Sequence, residues 1–210
     1  MRRAVVTSLL PACMVVLVAG CGAGDRTPAA ATAEDATTAP EPGGSGDGRL
    51  TAHLVDPAGK DVGTATFADA EGGLAVSVEV HGLPPGFHGL HLHAVGVCEP
   101  GSVNPADPSM TGDFLSAGGH IGAGATDHGA HAGDLPTLYV NRSGAGSLTT
   151  VTDAVTRADL IGGDGSAVMV HAGLDNFANI PDRYAPGGPD ATTRNTGDAG
   201  GRIACGAVKG

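Results

Sequence analysis

The feature that most constrains this chain is a two-residue alternation of apolar and polar side chains in short segments after residue 49. Successive side chains of a β-strand point to opposite faces, so each alternating segment predicts a half-buried strand. Turn sequences rich in Gly, Pro and Asp, such as 56–59 and 144–146, separate the segments. Short strands with such turns predict an all-β sandwich or barrel. The clearest segments are 49–54, 74–80, 90–94, 138–140, 148–152 and 168–170.

Two long stretches do not read as strands, namely Glu99 to Pro136 and Gly173 to Gly201. Loops of this length in a compact domain are usually functional, and both begin near a histidine. The segment from Val155 to Ile161 predicts one short turn of helix.

The first residues carry a targeting signal. Arg2 and Arg3 precede an apolar stretch from Leu9 to Ala19 that is too short to span a membrane. The stretch ends in small residues directly before Cys21, a pattern that resembles a bacterial lipobox. We therefore expect residues 1–20 to be a lipoprotein signal peptide and Cys21 to be lipidated, which would anchor an exported chain on the extracytoplasmic face of the cell membrane. The alternative is an ordinary secretory signal.

Residues 21–48 are rich in Ala, Thr, Pro, Gly and acids and lack apolar periodicity. Such a segment buries too little surface to offset its ordering entropy, which predicts a disordered tether before a domain at 49–210. Export permits disulfides, and the remaining Cys98 and Cys205 allow one pairing.

Charge and histidine content narrow the function. The chain carries 11 Lys and Arg against 22 Asp and Glu, and its net charge of −11 argues against a nucleic-acid binder. Seven of the nine histidines fall between residues 81 and 131, which favours metal binding.

The histidine spacing indicates where the metal would bind. His91 and His93 occupy alternate positions of a predicted strand and therefore share one face. Within the first long stretch stand three histidines and an aspartate that together suit tetrahedral Zn²⁺. These four residues are His120, His128, His131 and Asp134.

Five segments in this order resemble the copper,zinc superoxide dismutases, and the resemblance extends from about Arg49 to Val208. It implies a Greek-key β-sandwich or barrel of about eight antiparallel strands with two long functional loops. The five segments are 86–93 (GFHGLHLH), 116–120 (SAGGH), 131–135 (HAGDL), 168–173 (VMVHAG) and 197–206 (GDAGGRIACG).

The resemblance implies one copper and one zinc per chain, with His120 as the imidazolate that bridges them. It assigns His91, His93, His120 and His171 to copper. It assigns His120, His128, His131 and Asp134 to zinc.

Further roles follow from the same resemblance. It implies a disulfide between Cys98 and Cys205, and an anion-attracting role for Arg202 opposite Thr196 in a channel. Asp175 matches a carboxylate that links a copper histidine to a zinc histidine. The implied activity is dismutation of superoxide to O₂ and H₂O₂, which would protect the cell surface from extracellular superoxide; family members are often homodimers, although the sequence leaves the oligomeric state open.

Two departures from the family pattern concern the zinc loop and the interval after Cys98. Only two residues separate His128 from His131, where many relatives have an insertion, so His128 is the least secure ligand. The interval from Cys98 to His120 is long and proline-containing, as a subunit contact would be.

Two alternative functions remain open. The first is a non-catalytic copper-binding or copper-delivery lipoprotein, which predicts a missing ligand or arginine. The second is an adhesion-type sandwich with incidental histidines.

The charge distribution gives one more expectation. Residues 49–210 hold 8 basic and 17 acidic side chains, a net charge of −9 that repels an anion. Three of the basic residues belong to the second loop and its end beside the proposed copper: Arg183, Arg194 and, directly after Gly201, Arg202. They are expected to reverse the potential at the site, so that the rate falls as salt rises.

Overall fold

A computed structural model describes residues 48–210. The predicted signal peptide, Cys21 and nearly all of the predicted tether lie outside the described residues. No helix between residues 48 and 210 is long and apolar enough to cross a membrane.

The described chain is almost entirely β-structure, with two short helices, α1 (Arg157–Ile161) and α2 (Ala191–Thr196), and a 3₁₀ turn at Leu115–Ala117. The strands are β1 (Leu50–Val55), β2 (Asp61–Ala70), β3 (Gly73–Val80), β4 (Gly86–His88), β5 (Leu90–His93), β6 (Ser102–Asn104), β7 (Asp107–Gly112), β8 (Leu138–Val140), β9 (Gly146–Thr152), β10 (Ala167–His171) and β11 (Arg202–Ala207).

Nine of these strands form one antiparallel sheet in the order β4-β8-β9-β3-β2-β1-β11-β10-β5. The two edge strands, β4 and β5, are consecutive in the chain and separated by Gly89 alone, so the sheet curls back on itself into a nearly closed barrel. The all-β prediction is confirmed. The alternation did not reveal three strands of this sheet, β2, β4 and β11. In β2 the inward residues include Gly63 and Ala65, which carry a weak apolar signal.

The barrel interior is filled by small aliphatic side chains, as a chain with two Tyr, four Phe and no Trp requires. Phe67 contributes an aromatic ring to this core and is fully buried. Alternate residues of each strand face inward, for example Leu74, Val76 and Val78 on β3. Packing of this kind fixes the strand register and therefore the direction of every outward-facing side chain.

The two long stretches contain more structure than the sequence predicted. The first includes a two-stranded hairpin, β6–β7, that pairs with no strand of the barrel. Its residues are mostly exposed and lack apolar alternation, which is why the prediction of no strand between Glu99 and Pro136 was wrong. The second stretch includes α2, which begins where the Asp190 side chain accepts a hydrogen bond from Thr193 N. Helix α1 lies within the predicted turn and begins at a capping box formed by Thr156 and Asp159.

A disulfide joins Cys98 to Cys205, as the resemblance implied. Cys205 is on β11, whereas Cys98 precedes the hairpin, so the bond fastens the first loop to the barrel wall. Cys205 packs in a small second core with Phe114, Ala117 and Met169.

Candidate metal centre

Strands β5 and β10 place three of the four proposed copper ligands side by side. The two strands pair directly, with Met169 opposite His91 and Ala167 opposite His93. Because side chains alternate, Leu90 and Leu92 enter the barrel core while His91 and His93 face outward beneath the loops. His171 ends β10, and His120 reaches the group through a backbone bridge to His93.

The four histidines form a compact cluster. Each offers a ring nitrogen, and these atoms lie within 4.8 Å of one another. Three of these histidines are fixed through their other nitrogen: His91 Nε2 lies 2.7 Å from Asp175 Oδ2, His93 Nδ1 lies 2.8 Å from Gly118 O, and His171 Nδ1 lies 2.9 Å from Gly200 O.

The remaining nitrogens of these three rings are buried and have no hydrogen-bond partner among residues 48–210: His91 Nδ1, His93 Nε2 and His171 Nε2. Buried polar atoms without partners are costly, and they are explained where a metal ion takes their lone pairs. Nitrogen-only donors suit copper in both of its oxidation states. The cluster fits one copper ion.

The proposed zinc ligands form a second cluster around one carboxylate oxygen. Asp134 Oδ1 lies 3.0 Å from His120 Nδ1, 3.2 Å from His128 Nδ1 and 3.4 Å from His131 Nδ1. A tetrahedral zinc site with bonds of about 2.0–2.1 Å has ligand–ligand edges of about 3.3 Å. His128 Nδ1 is also buried and without a hydrogen-bond partner in the described part of the chain. This cluster fits one zinc ion.

His91 also lies within 4.8 Å of His120, His128 and Asp134. Its Nε2 is held by Asp175, which leaves one nitrogen for a single ion. His131 completes the zinc set instead, because its Nδ1 lies 3.3 Å from His120 Nδ1 and its Nε2 is fixed 3.0 Å from Thr126 O. His120 is the ring common to both clusters.

The short interval between His128 and His131 closes as a turn around Asp134. Asp134 Oδ2 accepts hydrogen bonds from Gly129 N at 2.7 Å and His131 N at 3.0 Å. His128 N donates to Arg194 O at 2.7 Å, so the turn is also attached to α2. The departure from the family pattern therefore leaves all four zinc donors together.

The pKa is lowered for three histidines of the copper cluster and raised for His128 of the zinc cluster. Burial lowers the pKa of His120 to about 4 and that of His171 to about 3, and places that of His93 well below its usual range. Burial alone would lower the pKa of His128 too, but the nearby carboxylates of Asp134 and Asp175 outweigh burial and raise it to about 9. The neighbouring histidines in turn lower the pKa of both carboxyl groups, against the effect of burial.

Asp175 connects the two clusters from behind. Its Oδ2 lies 2.7 Å from His91 Nε2, and its Oδ1 lies 2.8 Å from His128 Nε2. Gly197, which the sequence did not single out as a site residue, makes room for this arrangement. A Cβ at Gly197 would lie 2.0 Å from Asp175 Oδ1 and 2.4 Å from His128 Nε2, and its φ of +57° is one that glycine adopts without strain.

An open cavity of about 890 Å³ leads to the copper cluster, and His120 and His171 form part of its wall. Arg202 and Thr196 line the same cavity, which places both predicted channel residues there. The Arg202 guanidinium donates to Phe114 O and Gly118 O, each at 2.6 Å. Burial lowers the pKa of Arg202 to about 10, so the side chain stays charged at neutral pH.

The other two arginines of the predicted attractive field lie off this cavity wall. Arg183 stacks over the Tyr184 ring at 4.7 Å, and Arg194 Nε lies 3.8 Å from Asp127 Oδ1. The wall also carries Asp113 and Asp198. The two acceptors that orient Arg202 are backbone carbonyls, so no side-chain signal in the sequence could have revealed them.

The fold and the two clusters define a class of protein: an antiparallel β-barrel whose outer loops build two neighbouring metal sites that share one imidazole. A family model described as copper/zinc superoxide dismutase (SODC) matches residues 62–208. This chain belongs to that family.

Similar proteins agree with this assignment. Superoxide dismutase [Cu-Zn] of Mycolicibacterium paratuberculosis is 46% identical over 193 residues, which is 88% of this chain and 82% of that protein. The protein of the same name from Mycobacterium tuberculosis is 48% identical over 167 residues, covering 76% of this chain and 69% of the relative. The solved structure of Cu/Zn superoxide dismutase from Brucella abortus superposes with a TM-score of 0.60 at 32% identity, covering 77% of this chain and 99% of that chain.

Proposed function

We propose that this chain dismutates superoxide: two superoxide anions and two protons give one O₂ and one H₂O₂. The observation that carries the proposal is the pair of histidine clusters sharing His120, with the Arg202 guanidinium on the wall of the cavity that reaches it. Copper held by His91, His93, His120 and His171 would supply the one-electron redox couple, while zinc held by His120, His128, His131 and Asp134 would fix the shared imidazole.

Arg202 attracts and orients the substrate. Its guanidinium is fixed by two carbonyl oxygens, which leaves its other N–H groups to face a small anion in the cavity. A charge that is already oriented costs no reorganisation when the anion arrives. Thr196 Oγ1 donates to Thr192 O at 2.9 Å, so its side chain forms part of the same wall without adding charge.

His120 is the residue suited to deliver a proton to the reduced product. Its Nδ1 faces Asp134 at 3.0 Å, and the ring also belongs to the copper cluster. A proton for the developing peroxide would be carried on Nε2, the nitrogen not committed to Asp134. Asp134 keeps the ring in place while that proton moves.

Metal analysis together with superoxide consumption tests this function. We expect one copper and one zinc per chain, and a loss of about 100-fold or more in the His120→Ala variant, because that change removes a ligand from both clusters. Arg202→Ala should retain copper and lose about 10-fold in rate. His53→Ala, which alters an exposed strand histidine, is the matched control.

Two results would contradict the proposal. Unchanged consumption in both the His120→Ala and Arg202→Ala variants would exclude this site as the source of activity. A chain that binds copper but consumes no superoxide would support the non-catalytic copper-binding alternative. Copper with no zinc would overturn the zinc assignment and leave the enzyme.

We also propose that the chain is exported, anchored through a lipid on Cys21 at the extracytoplasmic face of the cell membrane, and protects the cell surface from extracellular superoxide. The support is the charged, apolar and small-residue order of the first 21 residues. The N-terminal peptide of the membrane-extracted protein should begin at Cys21 and carry the added mass of the lipid. An N-terminal peptide without that mass would contradict the anchor.

The family resemblance further supports a homodimer as the assembly. The hairpin β6–β7, in the interval that the sequence indicated as a subunit contact, exposes Val103 and Met110, each half accessible. Sedimentation velocity of the purified protein should give twice the chain mass, and the Val103→Asp variant should sediment as a monomer. A monomer at all concentrations would contradict this proposal.

A further inference from the structure

Phe177 lies over the zinc side of the centre. Its ring stacks on the His128 ring with centroids 6.2 Å apart and planes 16° from parallel, and the side chain is 38% exposed. We propose that Phe177 is a positioning residue that covers His128 and slows the release of zinc. The inference rests on the zinc site of the proposed function.

The backbone of Phe177 is held from the Asp175 side. Phe177 N donates to Asp175 Oδ1 at 2.7 Å, the oxygen that also lies 2.8 Å from His128 Nε2. Phe177 and Ala178 both have left-handed φ angles, +54° and +52°. Non-glycine residues in this conformation carry strain, which persists only where surrounding contacts impose it. The strained backbone is therefore fixed by the same carboxylate that orients His128.

Phe177 also contacts the short turn between the zinc ligands His128 and His131. A Cβ at Gly129 would lie 2.6 Å from Phe177 O and 3.3 Å from Phe177 Cβ, so the two segments are in close contact. Gly129 follows His128 and donates its N–H to Asp134. The turn between His128 and His131 is thus confined by Asp134 on one side and by Phe177 on the other.

The other exposed aromatic residues of the described chain make different contacts. Phe87 and Tyr139 pair with each other, with centroids 5.0 Å apart, and Tyr184 pairs with Arg183. The chain has six Phe and Tyr residues, and among the exposed ones Phe177 packs its ring on a buried histidine, His128. The ring covers one face of the His128 imidazole, and apolar cover of this kind controls solvent access to a metal ligand.

The experiment measures zinc release from the copper- and zinc-loaded protein into a chromophoric chelator. Phe177→Ala should release zinc about 10-fold faster, with copper retained, since loss of support around a ligand usually costs about 10–100-fold in metal affinity. Phe177→Tyr keeps the ring and should restore the slow rate. Phe87→Ala is the matched control, because it truncates an exposed phenylalanine that does not contact His128.

A glycine variant separates the ring from the backbone. Phe177→Gly relieves the left-handed strain and removes the ring, so it should unfold no more readily than Phe177→Ala while releasing zinc as fast. Co²⁺ placed in the zinc set provides a spectroscopic signature: the d–d band should change in the Ala and Gly variants and match the wild type in Phe177→Tyr.

The outcomes distinguish this inference from the proposed function. A wild-type protein that holds zinc, with equal release rates and cobalt spectra in Phe177→Ala and Phe87→Ala, would overturn the inference alone. Fast release in Phe177→Ala but slow release in Phe177→Gly would also overturn it, because the backbone rather than the ring would then control zinc. A wild-type protein that binds no zinc would overturn the zinc site and this inference together.

Discussion

The copper side of this centre is built mainly on β-strands, whereas the zinc side is built on a loop. Three copper histidines, His91, His93 and His171, stand on paired strands of the barrel, where ladder hydrogen bonds and a packed core set their positions. The zinc donors come from a Gly-rich loop, and a carboxylate, Asp134, gathers them. His120 and Asp175 join the two sides.

This difference separates two ways of specifying a metal site. A strand-borne site follows from register, so it forms wherever the barrel forms. A loop-borne site depends on turns, backbone carbonyls and small residues that allow close approach, and each of these is a local condition. The copper side should therefore tolerate changes in the loops better than the zinc side.

Removal of the disulfide is expected to have the largest effect, and it tests whether the copper site forms independently of the loops. Cys98 and Cys205 are 107 residues apart, and a disulfide closing so long a loop contributes about 4 kcal/mol to the free energy of unfolding. We expect the double variant Cys98→Ser/Cys205→Ser to lose about that much in urea titration. The bond also holds the loop whose carbonyls at Phe114 and Gly118 orient Arg202.

Copper affinity and turnover should therefore separate in that double variant. Copper binding should persist, because three of the four copper histidines stand on the directly paired strands β5 and β10. Superoxide turnover should fall toward that of Arg202→Ala. If copper affinity collapses together with turnover, the strands alone do not specify the copper site, and the comparison between the two sides is wrong.

A smaller effect is expected where the two sides meet. Asp175→Asn replaces one of the two carboxylate oxygens, which now face His91 Nε2, His128 Nε2 and Phe177 N, by an NH₂ donor and removes the charge, so both imidazoles are held less firmly. Because His91 is fixed on β5 and His128 stands on a loop, zinc affinity should fall by about 10–100-fold and copper affinity by less. Competition titration with each metal measures both.

Asp198→Asn is the control for Asp175→Asn, since Asp198 accepts from Asn176 and Thr193 outside both clusters. It should leave zinc affinity unchanged. Equal losses of copper and zinc in Asp175→Asn would show that the strand gives His91 no advantage over His128.

The same contrast explains how far sequence reasoning could reach. The strands, their inward Leu and Val residues and the shared face of His91 and His93 follow from two-residue alternation. The loop donors follow from residue type and from the family resemblance alone, because no periodicity relates His128 to His131 and Asp134. The contacts of Gly197 and Phe177 depend on segments that are distant in sequence, so no local pattern encodes them.

The next effect concerns the stability of the metal-free protein. Histidines of the copper cluster should reduce it toward acid pH, and His128 should reduce it toward alkaline pH. The folded pKa values of His120 and His171, about 4 and about 3, lie below the unfolded value near 6.5. The unfolded chain therefore binds more protons as the pH falls below about 6.5, and stability is lost toward acid. The folded pKa of His128, about 9, lies above the unfolded value, so its stabilisation is complete below about 6.5 and is lost as the pH rises through 9.

Thermal unfolding of the demetallated protein should then show maximal stability near pH 6.5, with losses of a few degrees on either side. His171→Gln should flatten the acid arm, and His128→Gln the alkaline arm. A melting temperature that keeps rising from pH 6.5 to 9 would contradict the assignment of the alkaline arm to His128.

The smallest effect tests what draws superoxide to the copper side. The domain's charge of −9 repels the anion, and of the three arginines expected to reverse this, Arg202 lines the cavity while Arg183 and Arg194 lie off its wall. Asp113 and Asp198 on the same wall weaken the attraction further. We therefore expect the rate to fall with salt, but by less than about threefold between about 10 and 150 mM ionic strength. Arg202→Gln should abolish the fall, whereas Arg194→Gln should preserve it. A rate that rises with ionic strength would show that the net charge of the domain outweighs the Arg202 guanidinium.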